Sequence, residues 1–227
     1  DKLTDKQIVA DGATAANPGY PEQPMQDTVV DLIRHGEPEG GPMIRGNGCN
    51  HPLSADGWRQ MREALGQQAP WNQIISSPLA RCREFAAELA TRHRLPLAVE
   101  PQLREVGMGA WEGRRRSAIA REEPESYQAF LRDPLTNRPP GGERLETLQA
   151  RIAAAYDRQL AAFPRRHLLI VCHAGVTRAV IGHVLQANAE RWYRMRVDYA
   201  GITRIRHGRF GPSIAAMSAS TRSARSY

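Results

Sequence analysis

The chain has 227 residues and 41% hydrophobic content, enough for one domain with a sizeable core. Its net charge of +7 is carried by scattered arginines, Lys2 and Lys6 being the only lysines, and aromatics are 6% of residues, so no nucleic-acid stacking platform is visible. No stretch reaches the roughly 18 apolar residues of a membrane span, residues 1–27 have no apolar signal core, and Cys49, Cys82 and Cys172 are odd in number without metal-ligand spacing, which points to a reduced, cytoplasmic compartment.

Residues 1–24 hold both lysines and three prolines with little periodicity, and are expected to be a flexible or added leader to a single domain over 25–217. The tail 218–227, rich in Ser and Arg, is expected to be frayed. Val29–His35 reads as a strand, followed by a Gly-rich loop from Gly36 to Pro52. Ser54 fits the N-cap of a helix with Trp58, Met61 and Leu65 on one face. Gln73–Ser76 is a short strand, and Ser77-Pro78 reads as N-cap plus first-turn proline of a helix running to about Arg92. Leu97–Glu100 is a third strand. Polar helical segments span Arg116 to Arg132, and Pro139-Pro140-Gly141-Gly142 breaks the chain before a long helix with Leu145, Leu148, Ile152 and Leu160 inward. A fourth strand, Leu168–Cys172, precedes a helix from Val176 to Leu185, and Ile202–His207 and Ser213–Met217 complete the sheet. Alternating strands and helices predict a mostly parallel sheet covered on both faces.

The chemistry gathers at strand-to-loop junctions, where α/β folds place their sites. Arg34 and His35 follow the first strand, Arg81 lies in the first turn of the second helix, Glu105 follows the third strand, and His173 follows the fourth. Two arginines can bind phosphate oxygens in bidentate fashion, a histidine can attack phosphorus, and a carboxyl group can protonate a leaving oxygen. Arg206-His207-Gly208 repeats the Arg-His-Gly tripeptide without a long apolar strand before it, so His207 is expected to be a surface turn residue. His51, His93, His167 and His183 are left with structural roles. Arg114-Arg115-Arg116 reads as a solvated face, with steering of an anionic substrate as an intermediate reading.

Seven motifs in order are similar to the histidine phosphatase superfamily, which also contains the cofactor-dependent phosphoglycerate mutases. They are Leu32-Ile33-Arg34-His35-Gly36-Glu37, Pro52-Leu53-Ser54-Ala55-Asp56-Gly57, Ser76-Ser77-Pro78-Leu79-Ala80-Arg81, Leu103-Arg104-Glu105-Val106-Gly107, Trp111-Glu112-Gly113, Pro140-Gly141-Gly142-Glu143 and Val171-Cys172-His173-Ala174-Gly175. The resemblance spans roughly residues 28 to 217. It implies a three-layer α/β/α sandwich around a mixed, mostly parallel sheet, the phosphoglycerate mutase-like fold. It implies an acid-type histidine phosphatase, a phosphoric monoester hydrolase acting on a small phosphorylated metabolite without metal or other cofactor. His35 would be the nucleophile, Arg34, Arg81 and His173 the phosphate pocket, and Glu105 the proton donor and then the base for water. Arg45, Gly46, Asn47 and the Ala174 backbone N–H would complete substrate binding. The family often has Ser or Thr, and then Asn, where this chain has Pro38 and Gly41, and the loop before Pro52 is one residue longer. The short run from Glu105 to Gly142 resembles the phosphatase branch more than the mutases, whose inserted segments enclose the site. Gly40-Gly41-Pro42, Arg45-Gly46 and Gly57-Trp58-Arg59-Gln60-Met61 are similar to the α-ribazole phosphatase type of cobalamin synthesis. Phosphoryl transfer of the mutase type and a non-catalytic phosphate-binding relative are the alternatives. No nucleic-acid or membrane partner is expected, and the oligomeric state is open.

Overall fold

A computed structural model describes residues 27–218; the expected leader lies outside the described residues, as does the tail beyond Ser218. Six strands form one sheet: β1 (Thr28–Arg34), β2 (Gln73–Ser76), β3 (Leu97–Val99), β4 (His167–Cys172), β5 (Ile202–Gly208) and β6 (Gly211–Met217). Their spatial order is β3-β2-β4-β1-β5-β6. The first four are mutually parallel, and the β5–β6 hairpin adds antiparallel to β1. The sheet is therefore mixed and mostly parallel, as the alternation predicts.

Two cores flank it, because successive side chains on a strand point to opposite faces. Val30 and Leu32 of β1 and Leu168, Ile170 and Cys172 of β4 face one layer. That layer comprises α5 (Leu145–Ala162), α6 (Ala174–Val184) and the region of α3 (Arg116–Glu122) and α4 (Pro124–Arg132). Ile33, Leu169 and Val171 face the other layer, built from α1 (Ala55–Leu65) and α2 (Ala80–His93). Burial on both faces explains why the central strands are predominantly apolar, Asp31 in β1 being the exception.

Ser54 caps α1 as expected, its hydroxyl accepting from Gly57 N at 3.0 Å. The Ser77-Pro78 expectation is corrected: α2 begins two residues later, at Ala80, with Leu79 in the cap position. His207 is also corrected. It lies in β5, half-buried, with Nε2 2.8 Å from the Tyr156 hydroxyl, and the turn falls at Arg209 and Phe210. Asp31 is the one acid buried inside β1. It accepts from Trp71 Nε1 at 2.8 Å and from Arg204 at 2.7 and 2.9 Å, with His167 Nε2 also at 2.8 Å. Burial would raise its pKa, but these hydrogen bonds outweigh it and hold the carboxyl below the usual carboxylate range. His167 thus has the structural role assigned to it.

Candidate active site

The parallel strands β1, β2 and β4 end on one edge, and the residues following them meet there. His35 N bonds Cys172 O at 2.9 Å and Ser77 N bonds Val171 O at 3.0 Å, so the strand register itself brings the junctions side by side. The rings of His35 and His173 lie 5.1 Å apart between centroids, nearly edge to face. His35, Arg81 and His173 are all buried.

A backbone contact sets the tautomer of His35. Its Nδ1 lies 2.7 Å from Gly36 O, and a carbonyl can only accept, so Nδ1 carries the proton. Nε2 is then the lone-pair nitrogen, and it accepts from Arg81 Nε at 3.3 Å. Burial, then the charges of Arg81 and Arg34, hold the His35 pKa well below its usual value; burial, Arg81 and His35 do the same to His173. Both imidazoles are neutral in this state.

Arg81 is fixed by the Gly-rich loop: Nη1 donates to Cys49 O at 2.8 Å and Nη2 to Gly46 O at 2.9 Å. Arg34 donates from Nη1 to Val197 O at 2.7 Å, and its guanidinium lies over the Tyr199 ring at 4.0 Å. Arg34 Nε and Arg45 Nε are buried and have no partner among the described residues. Arg45 is buried behind the loop, with Nη2 donating to Glu39 O at 2.5 Å and Gly41 O at 2.7 Å. Gly41 sits at φ +72°, the left-handed region, which turns that carbonyl inward. Thus the position where the family often has Asn supplies a carbonyl to Arg45. Pro38 forms an isolated bridge to Leu53. Asn47 places its side-chain amide beside Gly107, while its backbone N–H donates to Glu112 at 3.1 Å.

Glu105 is held against the start of α6. Its Oε1 accepts from Gly175 N at 3.0 Å and from its neighbour Val106 N at 2.9 Å. A Cβ at Gly175 would fall 2.3 Å from Glu105 Oε1, so a side chain there would push this carboxylate off the helix start. Ala174 opens the helix, where backbone N–H groups and the dipole favour an anion. The loop bearing Glu105 is braced from α5, where Arg151 donates to Arg104 O at 2.9 Å and Glu105 O at 3.1 Å. Arg151 also pairs with Glu143 at 2.7 Å. The Pro140–Glu143 motif is therefore scaffolding for the acid.

Of the five expected central residues, Arg34, Arg81 and His173 gather around His35, and Glu105 is tied to the helix that His173 caps. Sequence reasoning missed three supports. Ser77 Oγ lies 2.7 Å from His173 Nε2 and accepts from Leu79 N at 3.3 Å, while α2 itself begins at Ala80. Glu112 accepts from Asn47 N, Gly48 N and Met108 N, organising the loop that holds Arg81. Its motif was quoted without a role, and the tight glycines around it were the available signal. Tyr199, in a segment with no motif, lies 5.7 Å from His35 between ring centroids. Among the described residues no three His, Cys, Asp or Glu side chains gather as a metal site, and no helix is long and apolar enough to cross a membrane.

Comparison with known proteins places the chain among described families. The profile described as Histidine phosphatase superfamily (branch 1) matches residues 30–220. A bifunctional protein of Mycobacterium tuberculosis is 30% identical over 191 residues, 82% of this chain and 52% of that protein. The chain thus spans about half the length of those mycobacterial relatives. An adenosylcobalamin/alpha-ribazole phosphatase of Salmonella typhimurium is 30% identical over 172 residues, covering 74% of this chain and 84% of that one. Among solved structures, a mycobacterial glucosyl-3-phosphoglycerate phosphatase complexed with VO3 matches with TM-score 0.75 and 26% identity, covering 85% of this chain and all (100%) of that one. A putative alpha-ribazole-5'-P phosphatase of Escherichia coli matches with TM-score 0.72 and 26% identity, covering 85% and 96% of the two chains.

Proposed function

Since the chain belongs to the histidine phosphatase superfamily, we propose that it hydrolyses a small phosphomonoester through a phosphohistidine on His35, without a metal. The observation that carries this reading is the tautomer. Nδ1–H is committed to Gly36 O, so the Nε2 lone pair faces the arginines where a phosphate would sit. Attack by Nε2 on phosphorus forms the N–P bond as the ester P–O bond breaks. Arg34 and Arg81 offer charge to the equatorial oxygens, with the α6 N-terminus and Ala174 N–H beside them. Glu105 gives its proton to the leaving alcohol and later accepts one from the water that cleaves the phosphohistidine. Neutral His35 is a nucleophile and neutral His173 a hydrogen-bonding neighbour; a bound phosphate dianion would favour proton uptake by either.

The substrate we favour is α-ribazole 5'-phosphate. The Salmonella relative bears that activity in its name and is covered over most of its length. Mutase-type transfer is disfavoured because the run between Glu105 and Gly142 holds just the short 3-10 turn Gly109–Trp111 and the helices α3 and α4, with no large enclosing insertion. The test is a screen over phosphorylated nucleosides, sugars, glycerates and α-ribazole phosphate, with and without EDTA. His35→Ala should lose turnover and acid-labile phosphoenzyme together while keeping the fold. Phosphoenzyme that survives in His35→Ala, or activity abolished by EDTA and restored by a divalent cation, would refute the mechanism.

A further inference from the structure

We propose that Tyr199 is a positioning residue for the phosphoryl site, holding the Arg34 guanidinium in plane so that its Nε–H is delivered to the substrate phosphate. The inference rests on the reading of Arg34 and His35 given above.

Arg34 stacks on Tyr199 at 4.0 Å, uses Nη1 on Val197 O at 2.7 Å, and leaves Nε buried without a partner among the described residues. A buried donor left open beside a neutral histidine and a second arginine is matched to an anion. The choice of partner is physically consequential. A carboxylate would hold a guanidinium through two of its N–H groups and neutralise it, whereas an aromatic face fixes the plane and leaves both the N–H edge and the charge available.

The segment bearing Tyr199 is pinned to both members of the Arg-His pair. Arg34 N donates to Gly201 O at 3.1 Å and Ala200 N donates to His35 O at 3.3 Å. Ala200 reaches this position at φ +54°, a left-handed conformation unusual for a residue with a Cβ, and it is buried there. The strained residue thus fixes the backbone immediately after the tyrosine. The Tyr199 ring also lies 5.7 Å from the His35 ring, so the same side chain covers the imidazole whose neutrality the chemistry uses.

Tyr199→Leu, Tyr199→Phe and Arg34→Ala, alone and with Tyr199→Leu, should be compared by orthovanadate inhibition and by the pH profile of p-nitrophenyl phosphate hydrolysis. A cation–π contact of this kind corresponds to roughly tenfold, so Tyr199→Leu should weaken vanadate inhibition about tenfold, while Tyr199→Phe stays within about twofold. In the Arg34→Ala background Tyr199→Leu should add less than about twofold, because the tyrosine acts through the arginine. The acid limb of kcat/KM should move to higher pH in Tyr199→Leu, since water readmitted to His35 lets its pKa rise toward the ordinary value. An undiminished Tyr199→Leu effect without Arg34, or unchanged vanadate inhibition in Tyr199→Leu, would overturn the inference. Should the leucine variant lose its fold, Tyr199→Met answers the same question. Wild-type protein that neither binds vanadate nor hydrolyses a phosphomonoester would instead overturn the functional reading itself.

Discussion

Glu112 offers the sharpest test of how the site is held, because its carboxylate bonds loop amides and none of Arg34, His35, Arg81, Glu105 or His173. Its carboxylate accepts from Asn47 N at 3.1 Å, Gly48 N at 2.8 Å and Met108 N at 2.8 Å, tying the Gly-rich loop to the segment after Glu105. The absence of side chains leaves room for the carboxylate: a Cβ would fall 1.8 Å from Oε1 at Gly46 and 2.1 Å from Oε2 at Gly48 and would displace it. Hydrogen bonds to a charged group contribute about 1.5–3 kcal/mol when buried, but Gly48 is exposed and Glu112 half-exposed. About 1 kcal/mol each is therefore appropriate, so Glu112→Ala should destabilise by about 3 kcal/mol. For a domain of this size that is a fall in Tm of roughly 6–12 °C. Glu112→Gln keeps one acceptor oxygen and should lose about 1 kcal/mol. The loop supplies the two carbonyls that orient Arg81, so kcat/KM for p-nitrophenyl phosphate should fall about 10- to 100-fold in Glu112→Ala. Thermal unfolding and steady-state kinetics on the two variants measure both effects. A Glu112→Ala protein with unchanged Tm and unchanged kcat/KM would show that the loop is held by something other than this carboxylate.

Glu105→Gln should slow hydrolysis of an alkyl phosphate far more than that of p-nitrophenyl phosphate, since only the poor leaving group needs a proton; equal slowing would reject Glu105 as the acid. His35 and His173 are held well below the usual histidine value by burial and neighbouring arginines, so below about pH 6.5 the unfolded chain binds more protons than the folded one. Stability should be full above that pH and fall as pH drops through it, by at most about 2.7 kcal/mol per pH unit for the two groups. A Tm that is flat from pH 7.5 to 5.5 would contradict this. Ser77→Ala should leave the start of α2 intact, because the hydroxyl does not cap it, yet weaken phosphate inhibition by freeing His173; a shortened helix with unchanged inhibition would reverse the assignment.

Much of the site was legible in the chain because chemistry and strand ends coincide locally. Arg34-His35-Gly36 and His173-Ala174-Gly175 each follow a predominantly apolar run, broken only by Asp31 in the first, and such runs read as strands buried on both faces of a parallel sheet. That is enough to place both histidines on one edge without knowing the strand order. Ser54 was equally readable, since capping is a contact between residues three apart.

Ser77 shows where local reading stops. Its sequence context fits an N-cap, but α2 starts only at Ala80, and the hydroxyl accepts from Leu79 N at 3.3 Å and lies 2.7 Å from His173 Nε2, a contact made through the β2–β4 pairing. Tyr199 and Glu112 likewise act across gaps of more than 60 residues in sequence, joining loops whose proximity is set only when the sheet closes. The residue types gathered at the candidate site were determined by the sequence alone. The His35 tautomer is set by its chain neighbour Gly36, but the orientation of the site residues and the groups that hold them were decided by tertiary packing, because most of these partners are selected by distance in space and not by position in the chain.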